Sequence, residues 1–143
     1  MRIKFFIYIF IYIILTGCNT ENVITGGCQV DTNLVMSAPS LEQDENGYYH
    51  MKYLEGYTQT FTTLDASTNS PYTKLGWISN KEINIQGIWT NLVNQAAYTD
   101  DEGIGHTVLS AWEDFVGDTI KVYCGYHNEC DIHYVDSLEV VID

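Results

Sequence analysis

The chain has 143 residues, with 19 Asp+Glu against 6 Lys+Arg, four Cys and 13% aromatic residues. That length fits one domain, and a hydrophobic content of 45% excludes wholesale disorder. A net charge of −13 argues against sequence-independent nucleic-acid binding, which needs a basic surface to displace phosphate counterions, and against electrostatic docking on anionic lipid.

In chain order, the first element is an export signal. Arg2 and Lys4 precede an unbroken apolar run from Phe5 to Leu15. A run of that length is too short for a bilayer-spanning helix, which takes about 20 residues, but it suits the hydrophobic region of a secretory leader. The run ends in Leu15-Thr16-Gly17-Cys18. This resembles the lipobox of bacterial lipoproteins. The resemblance implies a signal peptide over residues 1–17, and a Cys18 that carries a diacylglycerol thioether as the mature N-terminus of a palmitate-bearing lipoprotein. It further implies a membrane-anchored protein of the cell envelope, with Asn19 after the lipidated cysteine pointing to outer-membrane sorting. Loss of residues 1–17 removes two basic residues and no acid, leaving 4 basic against 19 acidic residues, a net charge of −15. Residues 18–27 are polar, end in Gly26-Gly27 and read as a lipidated tether.

Residues 28–143 show short apolar–polar alternation broken by turn residues, the pattern of an all-β domain. The expected strands are Gln29–Met36, Gly47–Leu54, Tyr57–Leu64 with Phe61 in the core, Lys74–Ser79 with Trp77, Glu82–Trp89, His106–Trp112, Thr119–Gly125 and Ser137–Ile142. Thr90–Ala97 reads as a loop or a short turn. Seven or eight strands fit a single two-sheet antiparallel sandwich. The run Asp118-x-Ile120-x-Val122-x-Cys124, with Trp77 upstream, resembles strands F and C of the immunoglobulin-like family, or of PKD-like domains. Val122 stands where that family carries tyrosine, and Tyr57–Leu64 holds no cysteine for an inter-sheet disulfide.

Export brings the three remaining cysteines, Cys28, Cys124 and Cys130, into an oxidising compartment. A hairpin centred near His127 would set Cys124 opposite Cys130, so a Cys124–Cys130 disulfide is expected, with Cys28 pairing to either as the alternative. Cys124, His127, Cys130 and His133 also form an evenly spaced set of metal-ligand types. Strand alternation throws such odd offsets onto opposite faces, and oxidised thiols ligate poorly, so no metal and no cofactor is expected there. The acidic turns Asp44-Glu45-Asn46-Gly47 and Asp100-Asp101-Glu102-Gly103 lack the ligand spacing of a calcium loop.

No nucleophile elbow, zinc-protease, Walker A or dinucleotide motif is present, and an enzyme is not expected. Aromatic side chains are the better binding candidates. Tyr48, Tyr49, Trp89 and Trp112 are the expected contacts to a protein or a glycan, because Tyr and Trp pair an apolar ring with a polar tip. The expected role is a non-catalytic, lipid-anchored envelope module for binding or structural interaction, with no nucleic-acid partner. One alternative is a carbohydrate-binding surface lipoprotein; another is a small metal-binding protein built on Cys124–His133.

Overall fold

The computed structural model describes residues 33–128 and 131–143, without the side chains of residues 128–133. Cys18, Cys28 and Cys130, the tether and the leader lie outside the described residues. Eleven strands are described: β1 (Val35–Ser37), β2 (Glu42–Gln43), β3 (Tyr49–Met51), β4 (Thr60–Ser67), β5 (Lys74–Ser79), β6 (Glu82–Ile85), β7 (Ile88–Asn91), β8 (Ala96–Tyr98), β9 (Ile104–Ala111), β10 (Thr119–Asn128) and β11 (Asp131–Ile142). Among the described residues the only helical element is a 3-10 turn at Glu113–Phe115, and no helix is long and apolar enough to cross a membrane.

The strands form three sheets: β1-β4-β9, β2-β3-β11-β10-β5-β8, and the separate pair β6-β7. The described residues are therefore all-β apart from the 3-10 turn, but the expected two-sheet antiparallel sandwich needs correcting on two counts. The segment Glu82–Trp89, read as one strand, belongs to a hairpin with a sheet of its own. The β3–β11 pairing is parallel, with Tyr49 opposite Val140 and Met51 opposite Ile142. A parallel pair needs a long crossover, and here everything from β4 to β10 supplies it.

One core draws on both larger sheets. Leu64 and Ala66 of β4 and Leu109 and Ala111 of β9 join Leu75 and Trp77 of β5, Ile120, Val122 and Cys124 of β10, and Leu138, Val140 and Ile142 of β11. Each strand contributes alternate residues, as a pleat requires. Phe61 is an exception to expectation: Thr62, Leu64 and Ala66 face inward, which leaves Phe61 on the outer face, 56% exposed. Three inward residues outweigh one aromatic, because a single-residue slip would turn all of them outward.

The last hairpin also differs from expectation. Asn128 lies opposite Asp131 and Cys124 lies opposite Asp136, so the chain reverses beyond Asn128 and not at His127. The residue across from Cys124 is an aspartate, and Cys130 lies outside the described residues. Among the described residues the Cys124 thiol has no disulfide partner, and it is fully buried. Burial pushes its titration far up, with the nearby Asp136 carboxylate adding to the effect. Beside it the register slips: Cys124 pairs with Asp136 but Gly125 with Tyr134. This bulge re-aims Asp136, whose carboxylate accepts the Met36 N–H at 2.8 Å and ties β1 to β11.

Candidate functional site

The end of β5 carries the most distinctive surface of the domain. After Ser79 the chain turns through Asn80 and Lys81 into the β6–β7 hairpin. Its two-residue tip is Gln86-Gly87, both with positive φ (53° and 88°), the primed-turn geometry that matches strand twist. The Gly87 N–H donates to Asn84 Oδ1 at 2.8 Å. Gln-Gly is a weaker turn signal than Asn-Gly, which is why the segment reads from sequence as one strand.

The root of the hairpin is stitched to the body by one side chain. Asn91 Oδ1 accepts the Ser79 N–H at 3.0 Å and the Val93 N–H at 3.3 Å, while its Nδ2 donates to Ser79 O at 3.3 Å. Ser79 Oγ accepts the Leu92 N–H at 3.2 Å and lies 2.9 Å from Asn91 Oδ1. On the other flank Asn80 and Lys121 exchange two hydrogen bonds, each 2.9 Å, and Lys81 pairs with Asp118. Ile83 packs against the core below. Asn91→Ala strands two N–H groups and one carbonyl in a part-buried place. It is expected to cost about 1–3 kcal/mol in urea unfolding and to speed amide exchange in β6 and β7.

Above that root the hairpin projects apolar side chains into solvent. Ile85 faces Ile88 across the tip, and Trp89 faces Asn84. Ile88 and Trp89 are 69% and 67% exposed. Paired residues share a face, so Ile85 and Ile88 occupy one side and Trp89, Asn84 and Glu82 the other. From Ile83 to Thr99 the chain carries no acidic, basic or histidine residue, in a molecule of net charge −13. That charge-free run was the available sequence signal for this surface. Trp89 with Ser79, Asn80 and Glu82 lines an open concavity of about 450 Å³.

The hairpin also has a defined direction. Val35 of β1 lies opposite Ser67, the last residue of β4. The next strand, β5, starts at that same end of the domain and runs away from it to Ser79. The described chain therefore enters at one end and the hairpin stands at the other.

The other expected contacts are scattered. Tyr48 and Tyr49 line a different concavity with Gln43, Lys121 and Glu139, and Tyr49 is half-buried against the core. Trp112 packs on the core just before the 3-10 turn. Of the four, Trp89 is the one that stands clear. His127 is exposed, whereas Cys124 points into the core, so the two do not converge. Cys130 and the His133 side chain lie outside the described residues, and among the described residues no three ligand side chains cluster as a metal site.

Both acidic turns use their first aspartate for the backbone. Asp44 Oδ1 accepts the N–H groups of Asn46 and Tyr48, and Asp100 Oδ1 those of Glu102 and Ile104. Desolvation works to raise the Asp44 value, but these donors and His50 outweigh it and hold the carboxyl below its ordinary range. His50 is a contact that sequence reading missed: its Nδ1 lies 2.8 Å from Asp143 Oδ2 and its Nε2 lies 3.6 Å from Asp44 Oδ2. The hydrogen bond to Asp143 raises the imidazole above its ordinary 6.5, against a smaller opposing effect of burial. A raised folded-state value means that the tie between β3 and the end of β11 is at full strength below about 6.5 and is lost as pH rises through the folded value. His50 is expected to titrate above 6.5 by NMR in the native protein, and Asp143→Asn to bring it back down. His106 is similarly placed, 2.7 Å from Asp65. Among the described residues neither ring is hydrogen-bonded to a hydroxyl or thiol, so no nucleophile–base pair is assembled.

No family model and no curated protein matches this chain. Among solved structures it is similar to the NK cell receptor Nkp44, described as a triggering partner in natural cytotoxicity. The identity is 14% and the TM-score 0.37, over 66% of this chain and 96% of that one. A TM-score of this size leaves the fold to be argued from the sheets themselves.

Proposed function

We propose that the chain is a non-catalytic, lipid-anchored contact module of the bacterial cell envelope, held through Cys18 and presenting the β6–β7 hairpin at the far end of an immunoglobulin-like domain. The sheet orders support the immunoglobulin-like reading. The β5-β10-β11 set follows strands C, F and G, and the β1-β4-β9 set follows A, B and E. Trp77 on the counterpart of strand C lies opposite Cys124 on the counterpart of strand F, both buried. The departures are the hairpin inserted after β5 and a β4 that buries Leu64 and has no cysteine.

The observation that carries the contact role is a rigidly rooted, charge-free hairpin with Ile85, Ile88 and Trp89 in solvent. Exposed apolar groups on a preorganised element favour partner contact, because little ordering entropy is left to lose. The lipobox supports the anchor, and the opposed ends support an outward-facing hairpin. A photo-crosslinking residue at Ile88 is expected to give discrete envelope adducts in cells, and one at Glu102, at the chain-entry end, none. Equal labelling from both sites, or from neither, would sink the contact role.

A further inference from the structure

Resting on that contact role, we infer that the ligand of the Trp89 face is a neutral oligosaccharide. The inference begins from what the concavity offers. Trp89 presents an exposed ring on one face of a hairpin whose position is fixed from below by Asn91. On the same side stand Glu82 and Asn84, and Asn80 lines the concavity with Glu82 and Trp89.

The hydrogen-bonding capacity left over there is mixed. Asn80 spends Oδ1 on the Lys121 N–H and Asn84 spends Oδ1 on the Gly87 N–H. Those bonds fix both amides, so each Nδ2 group is a donor with no acceptor among the described residues. Glu82 is exposed and its carboxylate, an acceptor, likewise has no partner among them. A ligand suited to this face needs an apolar surface for the ring, acceptors for two amides and donors for one carboxylate. A pyranose supplies all three: an axial C–H face, and hydroxyls that donate and accept at once.

Charged ligands fit less well. An anion meets Glu82 and finds no free cation, since Lys81 is paired with Asp118 and Lys121 with Glu139. A cation would suit Glu82 and the ring, but it offers nothing to the two amide donors, and one ring is not the several-sided cage that ammonium groups favour. The segment from Ile83 to Thr99 is itself uncharged, which fits a neutral chain passing along the hairpin.

The test uses the full chain in a zwitterionic detergent without a sugar headgroup, titrated with cellohexaose, maltohexaose and chitohexaose (the N-acetylated form). Oligogalacturonate and choline serve as charged probes. Tryptophan emission is expected to shift saturably with at least one neutral hexaose. Trp89→Ala should abolish the shift while leaving the urea midpoint unchanged, and Glu82→Ala should weaken binding at least tenfold. The assignment is overturned if no neutral hexaose binds, if the response survives in Trp89→Ala, or if oligogalacturonate or choline binds as well as the best sugar. Failure here with a persistent Ile88 crosslink to protein removes the sugar and leaves the contact module. Loss of the Ile88 crosslink while the sugar still binds removes the envelope contact alone.

Discussion

Trp77→Ala is expected to cost about 3–5 kcal/mol, the largest single-residue loss in this domain. Trp77 is 1% exposed and sits on β5 between β10 and β8, opposite Cys124, in the middle of the core. Truncation removes a large apolar side chain and leaves a cavity that the flanking strands are too well hydrogen-bonded to close. Small domains hold about 5–15 kcal/mol in total, so the variant would stand near the edge of folding. Trp77 Nε1 has no hydrogen-bond partner among the described residues. Trp77→Phe therefore forfeits volume and no bond, and should fall well short of the alanine penalty. Trp89→Ala is the internal control: an exposed aromatic on the hairpin should change urea stability by less than about 0.5 kcal/mol. Equal penalties for the two tryptophans would mean that the core is not where these sheets put it.

Cys18→Ala is expected to move the protein from the membrane fraction to the soluble fraction, an all-or-none change. Acyl chains hold by burying methylenes at about 0.8 kcal/mol each, and two or three chains together anchor firmly where one is marginal. If Cys18 carries the chains, as proposed, removing its thiol removes all of them at once. A chain cleaved after residue 17, as proposed, offers little to replace it, since its charge of −15 is repelled by anionic lipid. Mass spectrometry of the wild type should find residues 1–17 gone and a lipid-modified Cys18. A variant that stays membrane-bound, or a wild-type chain with a bare Cys18, would refute the anchor.

How far the fold was legible depended on how local each feature is. The strand Lys74–Ser79 was readable to the residue, because Leu75, Trp77 and Ser79 turn inward at a two-residue period, with Gly76 buried between the first two. The cores of β9, β10 and β11 were readable for the same reason, though both strands of the last hairpin run further toward its tip than the alternation showed. Phe61 was misplaced because a Thr-rich strand offers two weakly contrasting faces, and the choice between them is made by packing. The short strand Ala96–Tyr98 was missed because its side chains carry almost no pattern; β5 recruits it by pairing.

The site divides in the same way. Trp89 was named from residue type alone, but Tyr48, Tyr49 and Trp112 were named with equal reason, and only the packing separates the most exposed ring, Trp89, from Tyr49 and Trp112 against the core. His50 and Asp143 are 93 positions apart, and no spacing rule links them. Asn91 has the same standing: an ordinary polar residue in sequence, and the fastening of the hairpin once β7 folds back on the end of β5.

The amino-acid order by itself determined the all-β character, the acidic surface and which residues alternate, because pleat, charge and turn chemistry are settled within a few neighbouring positions. Which strand lies beside which, which face turns inward and which hairpin is left projecting were decided by the tertiary structure alone. Those choices depend on contacts between distant segments, whose energies exist only after the chain has closed its loops and the two larger sheets share one core.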